Sequence, residues 1–266
     1  MFKNFKIKHK EKFSLAKIDP EYDEDLKSKD LLEKTAENIE NIVMMQERLY
    51  AESKQSLLII LQALDAGGKD GTIRKVFGPI NPQGCQVVSY KTPTALELSH
   101  DFLWRIHKES PQKGMIKIFN RSHYEDVLIV KVHDWISDDV CRARYDHINN
   151  FEKLLFDNQT KILKFFLYIS KDEQKKRFQE RLDIPEKNWK FAMGDLDERK
   201  FWDKYIDQFE EVFYHTSTDY APWYVVPANN KKFRNYMISS IVLNSLEKMD
   251  PKYPKALENL DKIVIE

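Results

Sequence analysis

Asp65, Gly67, Gly68, Lys69, Asp70 and Gly71 place one lysine and two carboxylates inside a glycine-rich turn. That combination suits phosphate chemistry. Backbone N–H groups of a glycine loop and of the helix start behind it cradle phosphate oxygens, and the lysine adds a point charge. Lys69 is the candidate cation for a terminal phosphate. Asp65 and Asp70 are candidates to hold magnesium, an ion that takes one or two carboxylates and keeps its waters, and Asp65 also stands where it can orient the attacking phosphate. Gly67, Gly68, Gly71 and Thr72 complete the phosphate-binding set, and Arg74 and Lys75, one turn further, extend the positive track along a long polyanion. The loop departs from the P-loop pattern at two positions. Ala63 stands where a first glycine is expected, and Asp70 replaces the Ser/Thr that follows the lysine. Taken alone, the loop also fits a tight turn with a solvated lysine.

Two further clusters carry suitable residues. Asn120-Arg121-Ser122-His123-Tyr124-Glu125-Asp126 contains an arginine whose planar fork suits a transferring phosphoryl group. His123 and Tyr124 fit either stacking on a base or packing in a core, and Glu125 fits either metal binding or a solvated helix start. Arg177 and Arg181 lie four apart and so share one helix face, where a mobile segment would carry both onto a phosphoryl group and exclude water. The same pair also reads as two solvated arginines beside Asp172, Glu173 and Glu180. Lys231-Lys232 with Arg234, and Arg142 with Arg144, read as solvated basic faces, with a phosphate-guiding role as the alternative for either.

These clusters matter only if the fold brings them together. The β-compatible apolar run that starts at Leu57 ends at Asp65, where the glycine loop begins, and Ile73 onward reads as a helix. Further strands are expected at 86–90, 115–119, 162–169 and 224–227. Helices are expected at 30–54, 93–108, 141–158, from 171 to before Pro185, 196–213 and 233–248. The first of these carries Leu32, Ala36, Ile39, Val43, Gln46 and Tyr50 at helical spacing, suited to covering the sheet or pairing with another subunit. Ser170 and Glu173 form a capping-box signature. Strands that alternate with helices imply one α/β domain with a five-stranded parallel sheet and helices on both faces. In such a sheet the strand C-termini share an edge. Asp65–Gly71, Asn120–Asp126 and Ser170–Arg181 all follow strands, so all three clusters converge there.

The bulk composition narrows the partners. A chain of 266 residues with 43 basic and 43 acidic side chains has no net charge to drive nucleic-acid or membrane binding, so a polyanion must be held by a local cluster. Cys85 and Cys141 are far apart without metal-ligand spacing, which suits a reducing compartment. No apolar run approaches the ~20 residues of a membrane span, and the start lacks a signal-peptide core. A cytoplasmic protein is expected. Residues 1–30, charged and without periodicity, read as an extension lying on the surface of a single domain at 31–266.

Asp65-Ala66-Gly67-Gly68-Lys69-Asp70-Gly71, followed by Phe119-Asn120-Arg121-Ser122-His123-Tyr124-Glu125-Asp126-Val127-Leu128, resembles the polyphosphate kinase 2 family. Trp189-Lys190-Phe191, Asp195, Arg199 with Trp202, and Ser217-Thr218 through Ala221-Pro222-Trp223-Tyr224-Val225-Val226-Pro227-Ala228 extend the match over roughly residues 30 to 250. The resemblance implies a three-layer P-loop kinase fold like that of thymidylate kinase, with a helical lid at about 171–200. It implies phosphoryl transfer between inorganic polyphosphate and AMP or ADP, or their guanine counterparts, with ATP among the nucleotides. Magnesium, or manganese in its place, is the implied metal, and a dimer or tetramer the implied assembly.

By similarity, Asp65, Gly67, Gly68, Lys69 and Gly71 fall on the Walker A loop, Asn120, Arg121 and Ser122 on the Walker B segment, and Arg177 and Arg181 on the lid. Asp65, Lys69, Arg121, Arg177 and Arg181 are thus the catalytic candidates. Asn120, Arg121, Ser122, His123 and Tyr124 are the nucleotide contacts, and Asp65, Asn120 and Glu125 the metal donors. Many family members have aspartate where this chain has Asn120. A neutral amide brings no charge to the metal, so the metal leans on Asp65, with Glu125 or Asp126 in compensation. Asn120 with His-Tyr-Glu-Asp resembles the branch that accepts both mono- and diphosphates. Two other readings remain: an ATP-dependent nucleoside monophosphate kinase on the same fold, against which Asp70 speaks, and a binding protein without turnover.

Overall fold

The computed structural model describes residues 2–258 and 265; the rest of the domain expected to reach 266 lies outside them. Five strands, β1 (Ser56–Gln62), β2 (Cys85–Ser89), β3 (Ile116–Asn120), β4 (Thr160–Tyr168) and β5 (Trp223–Pro227), form one parallel sheet in the order β2-β3-β1-β4-β5. Every residue of β1 is buried, as expected for a central strand covered on both faces. Its Leu57, Ile59 and Leu61 pack into one hydrophobic layer, and Leu58 and Ile60 into the other. The first layer is closed by α1 (Ser28–Glu52) and α11 (Lys231–Met249), the second by α6 (Asp138–Asp157) and α10 (Trp202–Thr216). Chain order reverses at β1, with β3 on one side and β4 on the other. The crevice beyond its C-terminus is therefore the topological switch point where ligands bind in open α/β sheets.

Several expectations need correction. The residues at 93–108 form two short helices, α3 (Ala95–Leu98) and α4 (Trp104–His107), because Asp101 turns the chain by accepting the Leu103 N–H at 2.9 Å. The helix expected at 196–213 is interrupted at Lys200–Phe201 between α9 (Met193–Arg199) and α10. On α1 the buried face is Leu31, Thr35, Ile42, Gln46 and Leu49, while Leu32 and Tyr50 are exposed. The adjacent Leu31 and Leu32 allowed either face, and the approach of α11 selects one; Asn38 there donates to Ser239 and Ser240.

Residues 1–30 are more than a surface extension. Ile7 N–H donates to Trp223 O at 2.9 Å and Lys6 bridges Tyr224 in antiparallel fashion, which covers the outer edge of β5. Phe2, Phe5, Ile7 and Leu15 are buried. Their lack of helical or strand periodicity reflects docking as an irregular strap.

Past β4 the expected lid comprises α7 (Lys171–Asp183), α8 (Pro185–Asn188) and α9. Ser170 caps α7 by accepting the Glu173 N–H at 3.1 Å. The first turns of α7 are anchored through buried Gln174, Arg177 and Phe178, so the exposed part of the lid begins after them.

Candidate active site

The glycine loop leaves β1 through two left-handed residues, Ala66 (φ 59°) and Gly68 (φ 106°). The chain then enters α2 (Lys69–Thr72), which continues as a π turn over Ile73–Phe77. At Gly67 a Cβ would stand 2.5 Å from the Ala63 Cβ and 2.9 Å from Leu64 O, so only glycine fits this close return of the chain. Lys69 lies beneath the loop with its Nζ on Ala63 O at 3.0 Å. Burial, and next the neighbouring Arg121, push its pKa down to about 8, against the opposing pull of Asp65, Glu125 and Asp70.

β3 delivers Arg121 to the same place. Asn120 ends the strand, and Arg121 takes a left-handed φ of 62° with its N–H on Leu61 O at 3.1 Å. A non-glycine residue in that region is strained and persists only where its surroundings fix it. The guanidinium fork spans two carboxylates, Nη2 to Asp65 Oδ1 at 2.7 Å and Nη1 to Glu125 Oε2 at 3.0 Å. Glu125 above all holds it in the charged form. Asn120 Nδ2 donates to Asp70 Oδ1 at 2.9 Å, so the neutral amide at the end of β3 orients a carboxylate of the glycine loop.

Other expected roles change. Ser122, His123 and Tyr124 are fully buried and cannot touch a nucleotide with their side chains. Ser122 instead bonds the Gln62 amide at 3.1 Å and caps the turn after it. Thr72 is likewise buried, its hydroxyl donating to Gly68 O, and Lys75 is exposed outside the groove that Arg74 lines. Glu125, expected as a metal donor, is paired with Arg121. Arg177, expected as a free catalytic cation, staples loops together: Nη1 donates to Ala66 O, Nη2 to Ala228 O and Asn229 O, and Nε to Glu173. Both Arg177 and Arg181 line the groove, the latter tied to Asp195 at 2.8 Å.

The basic run with Arg234, read first as a solvated face and second as a phosphate guide, brings one residue to the loop. Arg234 on α11 is 3% exposed, and a Cβ built on Gly68 would stand 2.1 Å from its Nη1. Its guanidinium reaches Asn235 but, among the described residues, no carboxylate. Burial, and then Arg177, push it down to about 9, so it remains a cation at neutral pH. Gly68→Ala therefore meets both a strained φ and this arginine. We expect a folded variant whose KM for the anionic substrate rises about tenfold, in steady-state assays, because Arg234 is displaced. A KM equal to that of the native chain would show that Arg234 plays no part in binding.

Two cavities meet at this point. One is an open groove that runs past the glycine loop and collects Arg74, Arg177, Arg181, Lys187, Lys190, Lys231 and Arg234. The other, a narrow cleft, is walled by Leu64, Leu128, Trp202, Tyr205 and Phe209, with Glu198 and Arg199 at its polar side. Asp65 and Arg121 line both. Among the described residues no cluster of three His, Cys, Asp or Glu side chains forms a ready metal cage. Asp65 and Asp70 nevertheless both open onto the groove, which fits an ion that keeps its waters and shares phosphate oxygens.

The parallel sheet with helices on both faces and the glycine loop at its switch point define a P-loop kinase fold. More particularly, the chain belongs to the polyphosphate kinase 2 family, whose profile matches residues 25–254. It is 48% identical to AMP/ADP-polyphosphate phosphotransferase of Meiothermus ruber, over 99% of this chain and 100% of that one. It is 44% identical to ADP-polyphosphate phosphotransferase of Rhodopseudomonas palustris, over 95% and 92%. The crystal structure of polyphosphate kinase 2 from Arthrobacter aurescens TC1 superposes with a TM-score of 0.92 at 44% identity, covering 94% of this chain and 90% of that one.

Proposed function

We propose that the protein transfers a phosphoryl group between inorganic polyphosphate lying in the cationic groove and a purine nucleotide, AMP or ADP, seated in the aromatic-walled cavity. The observation that carries this reading is the shared wall: Asp65 and Arg121 face both cavities, so a group passed between their occupants passes these two side chains. Family membership and the names of the relatives support polyphosphate as one partner and AMP or ADP as the other.

Phosphoryl transfer asks the protein mainly to hold reactants in line and to offset charge. Lys69 and the loop N–H groups hold the chain of phosphates, with Arg234 beside the loop. Arg121, pinned by two carboxylates, presents fixed positive charge where charge spreads over the transferring group. Asp65 orients the acceptor phosphate. Asp65 and Asp70 would hold magnesium, which supplies further charge neutralisation, and Asn120 steers Asp70. No helix among the described residues is long and apolar enough to cross a membrane, which supports the cytoplasmic location we propose. Leu32, Met44 and Tyr50, exposed along α1, support assembly into a homo-oligomer.

The test is direct. Purified protein, magnesium and polyphosphate are expected to convert ADP to ATP and AMP to ADP, followed by chromatography of the nucleotides. Absence of product with polyphosphate, alongside turnover of ATP with AMP, would instead establish an ordinary monophosphate kinase.

A further inference from the structure

Directly beneath the phosphoryl clamp lies a set of buried ionisable groups that the mechanism does not use. His123, Tyr124, Glu152 and Lys164 are each 0% exposed. Lys164, on β4, donates to Glu152 Oε2 at 2.6 Å, to Tyr124 Oη at 2.8 Å and to Thr216 O at 2.7 Å. Tyr124 in turn donates to Glu152 Oε1 at 2.8 Å, and His123 Nε2 stands 3.4 Å from the same oxygen. The ammonium lies 5.3 and 5.4 Å from the centroids of the Tyr124 and Trp223 rings, which meet each other edge to face at 4.7 Å, and Trp223 Nε1 bonds Thr216 Oγ1 at 3.0 Å. Burial keeps His123 neutral by pushing it down, while Lys164 and His123 together hold Glu152 below its usual range against the opposing effect of burial.

A fully buried ion pair is a poor device for stability, since well-packed apolar residues do as well or better. What this one does is geometric. It fastens four elements to one point: the turn after β3 through Tyr124, α6 through Glu152, β4 through Lys164, and the end of α10 through Thr216. The turn is the one that begins with Arg121 in its left-handed conformation, three residues before Tyr124. The other end of α10 supplies Trp202, Tyr205 and Phe209 to the nucleotide-side cavity. A strained residue stays strained only where neighbours over-determine it; Ser122 ties the turn to β1 through Gln62, and Tyr124 ties it to the opposite layer through Glu152 and Lys164.

We propose that Tyr124, Glu152 and Lys164 are positioning residues for the transfer step, holding the segment after β3 so that Arg121 keeps the left-handed geometry in which its fork spans Asp65 and Glu125. None of the three touches substrate; they act through Arg121, and the proposal rests to that extent on the role given to Arg121 above.

The test is a double-mutant cycle with polyphosphate and ADP. It compares Tyr124→Phe and the paired change Glu152→Leu with Lys164→Met, each in native and Arg121→Ala backgrounds. The paired change removes both buried charges together, so it folds even where Glu152→Gln alone, leaving Lys164 uncompensated, does not. Expected is a fall in kcat of roughly tenfold to hundredfold in each variant, with both KM values within about twofold, from misplacement of the clamp. In the Arg121→Ala background the same changes are expected to cost nothing further. Amide exchange at residues 121–125 is expected to accelerate in these variants, a readout that needs no substrate and therefore stands even if the reaction assigned above is wrong. Native kcat in a folded variant, losses that add in full to that of Arg121→Ala, or unchanged exchange across 121–125 would overturn the proposal.

Discussion

Arg121→Ala is expected to lower kcat for phosphoryl transfer from polyphosphate to ADP by about 10³-fold while leaving the fold intact, because an arginine aimed at a transferring phosphoryl group is worth that much. The side chain is about one-third exposed, at 35%, so its removal opens no cavity in the core. It does leave Asp65 and Glu125, which Arg121 bridges at 2.7 and 3.0 Å, without their shared cation. Lysine at this position restores a charge but not the fork, since an ammonium is a point charge and cannot span both carboxylates with fixed geometry. Arg121→Lys is therefore expected to recover only a small part of the lost rate. Steady-state kinetics on both variants, with melting curves as the control for folding, check this. A kcat within tenfold of native in Arg121→Ala would remove the clamp from the mechanism.

How far such a site can be read from sequence depends on whether its contacts are local. The glycine loop was legible because β1 is buried on both faces and so reads as an unbroken apolar run that stops where the loop begins. Arg121 was legible because it follows a strand whose C-terminus must lie at the same edge. His123 and Tyr124 looked equally well placed, yet the partners that draw them inward, Glu152 and Lys164, lie 28 and 40 residues from Tyr124 along the chain, and no local pattern announces them. Arg177 shows the converse. Its position was right, but three backbone carbonyls from distant loops occupy its fork. Arg234 carries a solvated face as its first reading and phosphate guiding only as its second, because two lysines precede it in the run. One signal was available: the helix continues as Phe233, Tyr236, Met237, Ile238, Ile241 and Val242, buried around most of its circumference, so a basic residue in its first turns has little water to face.

Lys69→Met is the second change expected to have a large effect, about 10²-fold or more in kcat/KM for polyphosphate, through loss of the half-buried ammonium that the loop holds. The pH dependence of the native chain identifies that ammonium independently. Its pKa is pushed down to about 8 by burial and by Arg121, so Lys69 is charged below about pH 8 and neutral above it. In the free protein, which kcat/KM reports, capture of polyphosphate is therefore expected to be constant on the acid side of 8 and to fall as pH rises beyond it, approaching tenfold per unit. Bound phosphate adds negative charge beside the ammonium and raises its pKa, so the same limb is expected at higher pH in kcat, which reports the complex. Lys69→Arg separates charge from shape. A guanidinium stays ionised across this range, so the limb near 8 is expected to vanish. The larger head group cannot adopt the contact of the lysine Nζ with Ala63 O at 3.0 Å, so the rate stays low. A kcat/KM limb near pH 8 that survives in Lys69→Arg would assign the titration to another group.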